Sequence, residues 1–196
     1  MARTTFTTPE GRVTRERIIA VAIRAFASRG FRSVSIDSIA AEAGVTRQGL
    51  LHHFPSKVDL LVAVLEQHER ENSAELQQLY AANDRSLVAT MRAYVRAHVE
   101  SRGLIRMLLV LAAEAMDAEH PAHDWFVERY RTTRAGLAAR IAEMQAAGRV
   151  TDTIPAHRLA AVFVAIADGL QLQEYLDEGS TELEQTLADL LELMVR

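Results

Sequence analysis

The chain reads as an all-α protein in two parts, a short N-terminal three-helix unit and a longer helical bundle behind it. Three observations predict this. Apolar residues recur at three- and four-residue intervals along almost the whole length, and no segment alternates apolar and polar as a strand would. Glycine, proline and Asn-Asp interruptions cut that pattern into pieces of helical length. Charge is also divided. Residues 1–60 hold nine Arg or Lys against five Asp or Glu, a net +4, whereas the remainder carries −8, giving −4 overall. A basic end on an acidic body suits contact with a polyanion through one part only.

Residues 1–13 lack apolar periodicity and read as a mobile arm. The segment is read as a solvated tail in preference to an arm through which Arg3 and Arg12 touch DNA. Thr14 caps the first strong helix, which runs to Ser28 with Ile18, Ile19, Ala22, Ile23 and Phe26 at helical spacing, and Gly30 ends it. Ser35 caps a second helix whose apolar face is Ile36, Ile39, Ala40 and Ala43. Gly44 permits the sharp exit, because it tolerates the left-handed backbone. Thr46 caps a third, short helix to about His53. Small Ala40, Gly44 four residues on, and apolar Val45 and Leu50 have the spacing of a helix-turn-helix that reads DNA with its second helix. On that helix Thr46, Arg47, Gln48, His52 and His53 can reach phosphates or base edges, and Gly49 lets the backbone come close. Ser56 caps the next helix with Lys57 in its first turn, a helix N-terminus with a cation beside it, which suits a phosphate.

From Ser56 to about Ala82 the pattern is one long helix striped by Val58, Leu61, Val62, Leu65, Leu76 and Leu79. It would span roughly 40 Å and tie the first unit to everything downstream. Asn83-Asp84 breaks it. Leu87, Met91, Tyr94, Val95 and His98 mark the next helix, ending near Gly103. Leu104 to Met116 is apolar nearly all round, as a buried central helix would be. A loop with Pro121 precedes a long helix from Asp124 to Ala147, ended by Gly148. Pro155 opens a helix to about Asp177, and Ser180 or Thr181 caps the last one.

The stretch from Thr14 to Leu65 resembles the N-terminal DNA-binding domain of the TetR family of transcriptional regulators. The likeness is carried by Ile18, Ile19, Ala22, Phe26, Gly30, Phe31, Ile39, Ala40, Ala43, Gly44, Val45 and Leu50, with the exit Phe54-Pro55-Ser56-Lys57 and Leu60. Leu51 stands where the family often has Tyr, and Gly49 where it often has a hydroxyl residue. The resemblance implies a DNA-binding domain over residues 14–60 and a ligand-binding and dimerisation domain over 61–196. It implies a homodimer on palindromic double-stranded DNA, most often a repressor released by a small-molecule inducer. The last two long helices would form a four-helix bundle with those of a second copy. Leu159, Phe163, Leu170, Leu183, Leu187, Leu191 and Met194 are the candidates for that interface.

A ligand cavity is expected among Met91, Tyr94, His98, Met107, Leu111, Trp125, Phe126, Tyr130, Phe163 and Ile166, since methionines and polar-tipped aromatics suit an adaptable apolar pocket. Plain core packing explains each of them singly; the resemblance implies that some line a cavity. Asp168-Gly169 is read as helix packing at Gly169 in preference to ligand contact. Glu119-His120 and His123-Asp124 are read as a solvated loop in preference to a metal site. There is no cysteine, no phosphate loop and no nucleophile elbow, so neither a cofactor nor an enzyme is expected. The unbroken apolar stretch Met107 to Ala113 is far too short to span a bilayer, and a cytoplasmic protein is expected. Two rival readings remain: a constitutive DNA-binding regulator without an inducer, and a helical-bundle carrier or enzyme.

Overall fold

The computed structural model describes residues 8–97 and 102–193, and every regular element among them is a helix. Helix α1 spans Pro9–Arg29. It starts five residues earlier than its apolar pattern predicts. The Thr8 hydroxyl accepts the Gly11 N–H at 3.2 Å, and Pro9 fills the first turn, where a missing N–H costs nothing. Residues 9–13 of the expected arm are therefore helical. They escaped notice because their only large apolar residue, Val13, is 61% exposed.

Helices α2 (Ile36–Glu42) and α3 (Arg47–His53) follow. Gly44 turns between them at φ +65°. Ile18, Phe26, Ile39 and Leu50 are fully buried, as are Leu60, Leu61 and Leu65 from the first half of α4 (Lys57–Ala82). Ala40 is also buried, which lets α2 and α3 cross without a bulky side chain between them. At the start of α4 the Asp59 N–H donates to Ser56 Oγ at 3.1 Å, while that hydroxyl donates to Asp59 Oδ2 at 2.6 Å. The serine hydroxyl thus caps the helix, and the carboxylate holds that hydroxyl in place.

Beyond α4 lie α5 (Leu87–Ala97), α6 (Arg102–Glu114), α7 (His123–Ala146), α8 (Ala156–Leu176) and α9 (Leu183–Glu192). The chain divides into two compact units. The first runs to Glu71 and takes in Gly103–Leu108; the second holds Asn72–Arg102 and everything from Leu109 on. The division falls inside α4, at Glu71, where the sequence suggested residue 60. The start of α6 joins the first unit because Gly103 lies against α1: a Cβ there would stand 3.3 Å from Ala27 Cβ.

Within the second unit α7 and α8 bury Ile141, Met144, Val150, Leu159 and Ala160. A neighbouring cluster joins Phe163, Leu187 and Leu191 to Met91 and Val95 of α5. Four residues expected at a subunit boundary, Leu159, Phe163, Leu187 and Leu191, are therefore core of their own chain. Leu170 and Leu183 are half-buried against the same cluster, and Met194 lies outside the described residues. The physical reason is that α9 has one apolar face and α5 covers it, with Arg96 of α5 clasping Glu184 of α9 at 2.7 Å beside the seam. Helix α8 leaves apolar surface open: Val162, Leu172 and Leu176 are 53%, 51% and 80% exposed, beside exposed Ala161 and Ala165. By length and composition α8 is the described helix apolar enough to cross a membrane, and its unbroken apolar run, Leu159 to Ala167, is longer than Met107 to Ala113.

Two smaller differences concern α6 and α9. Helix α6 buries Met107, Leu108 and Leu111 but leaves Val110 51% exposed, so it is not enclosed all round. Neither Ser180 nor Thr181 caps α9. Glu182 precedes it at φ +45°, and the Thr181 hydroxyl donates to Glu174 at 2.7 Å.

Candidate nucleic-acid interface

The turn and cap residues fix how α3 is presented. Ser35 Oγ accepts the Ser38 N–H at 3.1 Å and starts α2. Thr46 Oγ1 accepts the Gly49 N–H at 3.0 Å and starts α3. Leu50 at 0% exposure anchors α3 inward, so the opposite side faces outward with Thr46, Arg47, Gln48 and His52 exposed. Gly49 is half-buried: a Cβ there would meet Thr46 Oγ1 at 3.2 Å, inside the capping bond. The small residue thus protects the cap as well as leaving the backbone open.

His52 and His53 stand edge to face with ring centroids 5.7 Å apart. Burial holds the His53 imidazole below its ordinary pKa, and nearby His52 and Arg15 push it the same way. The Arg15 guanidinium lies 5.0 Å from the ring centre of buried Phe54, bringing α1 charge to the end of α3. Lys57 is less free than a simple phosphate hook. Its Nζ donates to the Arg32 carbonyl at 3.2 Å and sits 4.4 Å from the Phe31 ring centre, and burial lowers its pKa. It locks the start of α4 to the turn after α1, with two of its three donors left over. Arg47 Nη1 is 2.5 Å from Asp37 Oδ2 of α2, a partner the sequence reading did not single out. Glu42 of α2 points elsewhere, toward Arg29 at 3.4 Å and Arg24 at 4.0 Å on α1.

The ligand residues expected from sequence fall in several packing environments. Met107 belongs to the first unit and the rest of the described ones to the second, while His98 lies outside the described residues. Met91 and Phe163 are packed against α9, and Leu111 is 1% exposed. Trp125 and Phe126 form an edge-to-face pair 4.9 Å apart. Tyr94 donates to Asn72 Oδ1, and Ile166 is half-buried. Tyr130 donates to Asp168 Oδ2 at 2.7 Å. Burial and that carboxylate push the Tyr130 phenol up to about 12, while burial also raises Asp168. Gly169 next to it has nothing within 4 Å of a built Cβ, so helix packing inside the chain does not account for it. A cleft of about 480 Å³ opens elsewhere in the second unit, beside Arg85, Leu87, Val88, Met144 and Arg149, and includes none of the ten. In the loop before α7, His120 Nδ1 accepts the Ala122 N–H at 3.2 Å and a His123 ring nitrogen is 2.8 Å from the Ala115 carbonyl, so both histidines serve the turn.

Residues 18–64 match the model of the bacterial regulatory proteins of the tetR family. An HTH-type transcriptional repressor from Streptomyces coelicolor is 30% identical over 155 residues, 79% of this chain and 77% of that protein. The chain belongs to the TetR family. It is accordingly a DNA-binding transcriptional regulator with an N-terminal helix-turn-helix and a helical C-terminal part. The HTH-type transcriptional repressor AcnR from Corynebacterium diphtheriae, another TetR-like relative, is 25% identical over 93% of this chain and 91% of its own length. Among solved structures, a TetR regulator from Haloarcula marismortui superposes with a TM-score of 0.81 at 21% identity, covering 94% of this chain and all of that one. A regulator from Saccharomonospora viridis in complex with choline gives 0.74 at 24%, over 94% and 98% of the two chains. At those identities the two structures speak for the TetR fold alone.

Proposed function

We propose that this chain is a repressor that acts as a homodimer on a palindromic operator and is released by a small molecule. One observation carries the reading: a Thr46-capped, Leu50-anchored α3 presents Arg47, Gln48 and His52 to solvent on the more basic part of the chain. Arg47, Gln48 and Gly49 face bases. Thr46, His52, His53, Ser35 and Lys57 mostly hold phosphates, which sets register without reading sequence.

A second copy covers α8. Ala161, Val162, Ala165, Gly169, Leu172 and Leu176 fall within an arc of about 100° on that helix, opposite buried Leu159 and Phe163. The small residues would let two such helices cross closely, and Leu172 and Leu176 supply the apolar area. A two-fold axis then offers two α3 helices to two half-sites about 34 Å apart. The inducer enters the second unit near Tyr94, Trp125, Phe126, Tyr130 and Ile166. Coupling to DNA needs only a few kcal/mol of differential affinity between two dispositions of the reading helices. As a DNA-binding regulator it works in the cytoplasm.

Selection of bound duplexes from a random pool, at fixed physiological salt, tests the reading. An inverted repeat with two equal half-sites is expected. Enrichment of no sequence by a folded protein would overturn it.

A further inference from the structure

Asp37 lies in the first turn of α2, where an acid suits the helix N-terminus, yet it also reaches out of its own helix. It stands one element before the DNA-reading helix, and its carboxylate is 64% exposed. An acid on a surface that meets phosphates opposes every duplex. The stability it returns is small, because exposed ion pairs contribute little. The other acid of α2, Glu42, is accounted for by α1 through Arg24 and Arg29. Asp37 instead reaches forward to the first residue of α3, with its Oδ2 2.5 Å from Arg47 Nη1.

The consequence lies in the shape of the guanidinium. Arginine carries five N–H donors in a rigid planar fork. Asp37 engages the Nη1 end, which leaves donors on Nη2 and Nε. Arg47 remains 59% exposed, so that free edge is open to a ligand. An unrestrained arginine at a helix N-terminus swings to the nearest phosphate and carries no sequence information. One biased by a carboxylate on one end keeps its other donors turned outward, and two such donors can pair with the O6 and N7 acceptors of a guanine.

We infer that Asp37 is a specificity-positioning residue: by holding one end of Arg47 it reserves the other for one guanine in each operator half-site. This rests on the reading of α3 as the base-contacting helix. Asp37 itself touches no base. It trades some affinity for all DNA against discrimination at one position.

The experiment uses the full-length protein, its selected operator and duplexes in which each operator guanine is replaced in turn, at one salt concentration. The wild type should show one guanine per half-site whose replacement weakens binding roughly ten-fold or more. Asp37→Asn keeps the side-chain size and removes the charge. It should shrink that penalty to within about three-fold while binding to random duplex tightens. Arg47→Lys, which keeps the charge but lacks the fork, should lose discrimination at the same guanine. A full guanine penalty retained by Asp37→Asn would overturn the proposal. So would an equal weakening of all duplexes, which marks Asp37 as no more than an acid in the first turn of α2. If the wild type itself selects no sequence, the base-contacting reading of α3 fails and takes this proposal with it.

Discussion

Truncating Leu187 to alanine separates two places this residue can belong. In the chain described here it is core: 1% exposed, packed with Phe163 and Leu191 and backed by Val88, Met91 and Val95. Leu→Ala at a buried site costs about 2–5 kcal/mol, the spread reflecting how far neighbours relax into the void. Here the neighbours are Phe163 at 5% and Leu191 at 3%, both held from α5, so relaxation is limited. A loss of about 3–4 kcal/mol is expected, a large share of the 5–15 kcal/mol typical of a folded domain. At this chain length that lowers Tm by about 6–16 °C. The measurement is a thermal melt followed by circular dichroism at fixed protein concentration, since dimerisation also moves Tm. Sedimentation on the same samples completes it. Replacement of Leu172 and Leu176 by glutamate, both more than half exposed, should do the reverse, giving monomers that keep their helical signal. A Leu187→Ala protein with unchanged Tm that sediments as a monomer would refute the reasoning. It would place α9, not the open face of α8, between subunits.

Thr46→Ala removes the hydroxyl that accepts the Gly49 N–H, costing about 1 kcal/mol of stability, and hydrogen exchange should quicken first at Gly49. Lys57→Ala should weaken all duplexes alike and reduce the slope of log affinity against log salt by about 0.9 if the lysine reaches a phosphate; an unchanged slope leaves it only its tie to Arg32 and Phe31. His53 supplies a pH test. Its folded pKa lies below the ordinary 6.5, so the unfolded chain binds the proton more readily. The stability this confers is complete above pH 6.5 and is lost as pH falls through the folded value, and His53→Gln should remove that part of the Tm decline on acidification.

The helix-turn-helix was legible because its signals are local. Ser35 and Thr46 cap by bonds three residues long, Gly44 turns within its own φ, and Leu50 is the only large apolar residue that can face α2 from the centre of α3. The Thr8 cap is just as local, but no apolar periodicity follows it until Ile18. What failed downstream was the partner of each apolar face. The pattern of α9 says that Leu187 and Leu191 share a side, but not whether α5 or another subunit covers it. The ion pair of Asp37 with Arg47 joins residues ten apart across a turn and has no periodic signature. Tyr130 with Asp168 joins two helices, and Asp168 reads on its own as one acid in an otherwise apolar segment.

The backbone leaves the first unit at Glu71, comes back at Gly103 and leaves again after Leu108. A reading head that were a separate bead on a string would be joined once. Here the six residues from Gly103 to Leu108 are lent to it by the distant half of the sequence, and Gly103 sits where any side chain would press on Ala27. Cutting the chain after α4 removes those six residues and strips α1 of the neighbour it has at Gly103. A chain stitched in this way passes between its two units three times, after Glu71, before Gly103 and after Leu108.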